Sequence, residues 1–69
     1  MKISARNVLS GKVISIVRGP VTTEVTLEVA PGLQIVSTIT SASAASMSLV
    51  EGGKAYGVIK ASSVMVGVD

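Results

Sequence analysis

The chain has no cysteine, no histidine, no tryptophan and no phenylalanine. Without cysteine there are no disulfides and no thiolate metal sites. Without histidine the commonest general base and the commonest metal ligand are both missing. The acidic residues are only Glu24, Glu28, Glu51 and Asp69, scattered along the sequence. They form no carboxylate pair and stand beside no nucleophile, so an enzyme is not expected. Tyr56 is the sole aromatic, too little for the stacking platforms that a single-strand nucleic-acid binder needs. Long apolar runs are missing as well. The charge-free stretch from Val29 to Val50 is broken by Pro31-Gly32 and diluted by serine and threonine, so no membrane span is expected. Met1-Lys2-Ile3-Ser4 does not open a signal peptide, and the cytoplasm is the expected location.

What is present is apolar and small. Sixty-nine residues make one domain, residues 1–69, with 48% hydrophobic and 14% charged residues. The mean hydropathy is +0.67. A chain this short is marginal alone unless stapled or oligomeric. Its excess of apolar residues points to a subunit interface. The net charge of +2 is too slight to indicate nucleic acid, but it leaves cations free for a small anion.

Along the chain, Val8–Val17 reads as a long strand with Gly11 as a bulge or bend, and Arg18-Gly19-Pro20 as a turn. Val21–Val29 follows, with Val25, Leu27 and Val29 alternating against Glu24, Thr26 and Glu28. Pro31-Gly32 is a tight turn with Gly32 at positive φ. Leu33–Thr40 is a third strand. Ser41–Leu49 breaks the alternation, and its alanines favour a short helix with Ser41 as N-cap. Lys54–Ile59 is a fourth strand. Val64–Val68 is a fifth, apolar on both faces as if covered on one side by another subunit. The expected fold is all-β, a five-stranded OB-type small barrel with one short helix between strands 3 and 4.

The glycine pairs carry little chemistry. Gly52-Gly53 and Gly11-Lys12 lack the spacing of a phosphate loop and read as turn or bulge signals. The two polar clusters near the chain ends are more informative. Ser4-Ala5-Arg6-Asn7 and Lys60-Ala61-Ser62-Ser63 each combine a cation, hydroxyls and an alanine that leaves the backbone accessible. Either alone reads as an ordinary polar turn. Brought together, within a subunit or across a dimer, they would offer two cations, several O–H groups and free N–H groups around one cavity. That inventory suits a tetrahedral dianion with four acceptor oxygens and no proton to give.

At these residues the sequence resembles the molbindins, the small molybdate-binding Mop-like proteins. The specific parts are Ile3-Ser4-Ala5-Arg6-Asn7 and Val58-Ile59-Lys60-Ala61-Ser62-Ser63-Val64-Met65. The middle, Gly19–Val25, matches less well. The resemblance implies an OB-type barrel that dimerises by strand exchange and assembles into a hexamer, a trimer of dimers. It also implies molybdate or tungstate bound at subunit interfaces, with no organic cofactor. Ser4, Arg6, Lys60 and Ser62 become the expected contacts, and Ala5 and Ala61 contribute main chain. A second oxyanion site would involve Gly19, Val21 and Thr22. There the chain departs from the family, with threonine at Thr22 for the usual asparagine, and at Pro20 a residue without a backbone donor. The uncharged Ser41–Leu49 is a further departure. Storage of the anion is the leading expectation. A sensing module acting on a protein partner is the alternative, and an OB-type nucleic-acid binder ranks behind both.

Overall fold

The computed structural model describes all residues, Met1 to Asp69. Four strands and one short helix follow in order: β1 (Asn7–Arg18), β2 (Thr22–Ala30), β3 (Leu33–Thr40), α1 (Ser41–Ser46) and β4 (Lys54–Ile59). A single 3-10 turn, Ala61–Ser63, comes after β4. The strands form one antiparallel sheet in the order β3-β2-β1-β4. No helix is long and apolar enough to cross a membrane.

The alternation in β2 sets the inner face. Thr23, Val25 and Leu27 are buried while Thr22 and Glu24 are exposed. Val13 of β1 joins Val25 and Leu27 at the centre, with Ile16, Val29, Ile35, Ile39, Leu49 and Ala55 packed around them. The sheet curls enough for its outer strands to meet over this core. A Cβ at Gly57 of β4 would collide with Ile35 Cδ1 of β3. Glycine at that position lets the two strands approach.

The long first strand bends, but not at Gly11. Register is regular from Lys12↔Glu28 to Val13↔Leu27 and then jumps to Ser15↔Thr26, so Ile14 is the extra residue of the bulge. Gly11 meets a different need, since a Cβ there would lie 2.9 Å from the Glu28 carbonyl oxygen. The Pro31-Gly32 turn is as expected, with Gly32 at φ +75°.

The helix cap also shifts by one residue. Thr40, not Ser41, is the N-cap, and its hydroxyl accepts from the Ser43 N–H at 3.1 Å. Ser41 turns inward instead. Its hydroxyl donates to the Gly19 carbonyl at 2.6 Å and lies 2.8 Å from Thr23 Oγ1. The Ser41 N–H donates to the Val21 carbonyl at 2.8 Å. Thr23 is 1% exposed, so this hydroxyl pair satisfies a polar atom that water cannot reach. It also ties the β1–β2 turn to the start of α1.

The expected fifth strand is not formed, and the barrel is therefore open. Val64–Asp69 takes no strand pairing in its own chain. Val66 and Val68 are each more than nine-tenths exposed. A strand exists only where a neighbour fills its ladder of N–H and C=O groups, and this chain provides none to its own tail. The result is a half-barrel of four strands with a mostly apolar groove of about 450 Å³, lined among others by Val25, Leu27, Ile39, Leu49, Ala55 and Val58.

The Thr23–Ser41 pair yields a test. Ser41→Ala leaves the buried Thr23 hydroxyl without a partner and frees the Gly19 carbonyl. It should lower unfolding free energy by about 1–3 kcal/mol. Adding Thr23→Val removes the stranded hydroxyl and should recover part of that loss. Urea melts at one fixed protein concentration read both. An unchanged midpoint for Ser41→Ala contradicts the assignment.

Candidate functional site

The site is built by strand register. β1 and β4 pair from Asn7↔Ile59 to Lys12↔Lys54. Because Asn7 starts β1 and Ile59 ends β4, the segment entering β1 and the segment leaving β4 lie at the same end of the sheet. Ser4-Ala5-Arg6 is the former and Lys60-Ala61-Ser62-Ser63 the latter. The pair that joins them is 52 residues apart in sequence.

Local backbone explains what each segment offers. Lys60 is extended (φ −62°, ψ 134°) and leads into the 3-10 turn. The turn is closed by Ser63 N–H to Lys60 C=O at 2.8 Å and Val64 N–H to Ala61 C=O at 3.2 Å. The first N–H groups of a helical turn have no partner within it, and those of Ala61 and Ser62 make no bond elsewhere in the chain. Side-chain hydrogen bonds in the chain belong to Asn7, Arg18, Thr23, Thr40, Ser41, Ser43 and Ser46. Ser4, Arg6, Lys60 and Ser62 therefore keep all their donors. Ser4, Arg6, Lys60 and the turn are exposed, and Ala5 is half-buried.

The chemistry is one-sided. Lys2, Arg6 and Lys60 are three of the six basic residues of the chain, and neither segment contains a carboxylate. Alanine at Ala5 and Ala61 adds only a methyl beside the main chain. Such a surface can hold a small anion by charge and by N–H and O–H donors. It holds no carboxylate, imidazole or thiol.

The Gly19–Thr22 turn is arranged differently. The Gly19 N–H donates to the Thr22 carbonyl at 3.0 Å, and the Gly19 and Val21 carbonyls are taken by Ser41. Pro20 has no N–H. The donors left are the Val21 N–H and the Thr22 hydroxyl, on exposed residues. Tyr56 is half exposed, with Lys54 Nζ 5.2 Å from its ring centroid. No second aromatic extends it into a stacking track.

Asn7 was not among the expected contacts, yet it is the residue that joins the two segments. Its Nδ2 donates to the Ile59 carbonyl at 3.3 Å. The sequence signal was its place directly after Arg6, at the start of an alternating run, but only register reveals its partner.

A model of the TOBE domain matches residues 3–66. The chain is 48% identical, over the full length of both, to a probable molybdenum-pterin-binding protein of Haemophilus influenzae. Two solved structures share its fold closely. MopII from Clostridium pasteurianum, in an apo form, superposes with a TM-score of 0.91 at 42% identity, covering 97% of this chain and all of that one. A molybdate-binding protein from Sporomusa ovata superposes at 0.92 with 37% identity, covering 99% of this chain and all of that one.

Since the Lys60 ammonium has no partner in the chain, the isolated fold should not need it. Lys60→Met is expected to change unfolding free energy by no more than about 0.5 kcal/mol, measured by urea melts without added oxyanion. A larger loss would mean that Lys60 supports the fold rather than a ligand.

Proposed function

The chain belongs to the TOBE-domain family, among the small molybdenum-pterin-binding (Mop) proteins, and on that premise we propose that it is a non-catalytic oxyanion binder that stores molybdate or tungstate in the cytoplasm. The observation that carries the reading is the Asn7↔Ile59 register, with two cation- and hydroxyl-bearing, carboxylate-free segments at one end of the sheet. Lys60 and Arg6 offset the dianion's charge. The Ser4 and Ser62 hydroxyls and the N–H groups at Ala5, Ala61 and Ser62 replace its hydration shell. Sulfate carries the same charge, so selection against it rests on cavity size. Phosphate is partly protonated at neutral pH and would place a donor against donors. The turn at Gly19, Val21 and Thr22 is the weaker candidate, because the Gly19 N–H is engaged and Pro20 has no N–H to offer.

The oligomer belongs to the same proposal. Strands β3 and β4 have free edges, and a second cavity of about 180 Å³ beside Ile35, Val36, Gly57 and Ile59 adjoins the groove. The tail Val64–Val68 is apolar and takes no strand pairing in its own chain. We propose that the tail of a second copy fills this gap as the missing strand, giving an exchanged dimer that assembles further into a hexamer. The relatives' names also mention a pterin.

Three measurements test the reading. Titration calorimetry should give tight binding of molybdate and tungstate and weak binding of sulfate. Equal affinity for sulfate would overturn the size argument. Lys60→Met should weaken molybdate binding by roughly 1.5–3 kcal/mol, about ten- to a hundredfold, and an intact molybdate-induced rise in melting temperature would exclude Lys60 from the site. Native mass spectrometry should show a hexamer, and Val66→Lys should reduce it to smaller species by placing a charge in the groove. A stable wild-type monomer at micromolar concentration would defeat strand exchange.

A further inference from the structure

We infer that Asn7 is a positioning residue of the oxyanion site, acting through the Ile59 carbonyl on the Lys60–Ser62 segment; the inference rests on the proposed anion-binding role of that segment. Asn7 is half-buried at the first position of β1, and its partner Ile59 is the last residue of β4. A sheet frays at such ends because the ladder stops there. Here the Asn7 side chain adds a bond that the backbone pattern does not supply, from Nδ2 to the Ile59 carbonyl at 3.3 Å. It is the one side-chain hydrogen bond between the two polar end segments and their flanking strand residues.

Two consequences follow from which atom it holds. The Ile59 carbonyl and the Lys60 N–H belong to one planar peptide unit. Fixing the carbonyl fixes the plane from which Lys60 enters the 3-10 turn, and the turn's own bonds to the Lys60 and Ala61 carbonyls carry that orientation to the Ala61 and Ser62 N–H groups. The second consequence is electrostatic. A bare carbonyl oxygen at the edge of the site would repel a dianion, and the Asn7 amide occupies it with a donor. Aspartate has the same shape but neither function, since it brings acceptors and a negative charge.

The test compares Asn7→Leu, Asn7→Asp and a control, Gly11→Ala. The control strains the β1–β2 pairing remote from the site, because its Cβ would lie 2.9 Å from the Glu28 carbonyl oxygen. Molybdate affinity is measured by calorimetry on folded protein, and the melting temperature without ligand is recorded alongside. Asn7→Leu is expected to weaken molybdate about five- to tenfold, the scale of one hydrogen bond. Asn7→Asp should weaken it further, and Gly11→Ala should lower the melting temperature with affinity retained. In amide NMR spectra of the ligand-free protein, Asn7→Leu should move the Lys60, Ala61 and Ser62 resonances, and Gly11→Ala should not. Wild-type affinity in Asn7→Leu overturns the inference. So does a loss in Asn7→Leu that Gly11→Ala matches at equal melting temperature. A wild-type chain that takes no molybdate instead removes the functional reading on which the inference stands.

Discussion

Antiparallel pairing of Asn7–Lys12 with Lys54–Ile59 closes a loop that spans most of the chain, and the candidate site exists because of it. Closing so long a loop costs entropy that only later contacts repay. Those contacts come from β2, which packs Val25 and Leu27 against Val13, and from the turn before β4. There the Val13 N–H donates to Gly53 and its carbonyl accepts from the Gly52 N–H, at 2.9 and 2.7 Å. β1 is thus held by β4 over Asn7–Lys12 and by β2 over Lys12–Arg18. Its N-terminal end delivers Ser4–Arg6 to the turn beyond β4, while its C-terminal end carries the bulge and the Gly19 turn.

The same topology leaves the core unfinished. Only five of the 69 residues are buried, and valines at several positions of both sheet faces remain in water. For a sequence that is nearly half hydrophobic, this points to burial completed by other copies rather than within one chain. The uncharged surface of α1 fits that picture, since its solvation relies on serines alone. Local structure is nevertheless well satisfied: the helix is capped, and no buried side-chain polar atom lacks a partner.

Much of this was legible in the residues. The alternation at Thr23–Val29 gave the inner face of β2, and Pro31-Gly32 gave the hairpin turn. The bounds of β3 and β4 agree with the β-branched runs that suggested them. Errors arose where two residues could serve one local role. Gly11 looked like the bulge, but Ile14 is displaced because pairing with β2 shifts there, and glycine at Gly11 answers a close backbone approach instead. Ser41 and Thr40 are both competent caps. Thr40 takes the role because the buried Thr23 recruits Ser41. The expected fifth strand at Val64–Val68 does not form, because a strand is a property of a pair and the chain has no free slot that its own tail enters. At the site, residue type and spacing named the cations and hydroxyls. The bridging role of Asn7 needed register, which composition does not encode.

The unpaired tail has a consequence for the life of the protein before assembly. A newly made chain carries a mostly apolar tail, Met65–Val68, that takes no strand pairing in its own chain, next to a groove of matching character. If a second copy covers it, as proposed, that segment is until then a cleavage site for proteases and a template for indiscriminate pairing. Meeting is second order in concentration, so slow synthesis lengthens the exposure and rapid synthesis shortens it. The amount of protein in the cell would then be set partly by its own production rate, with scarce chains degraded and abundant ones preserved.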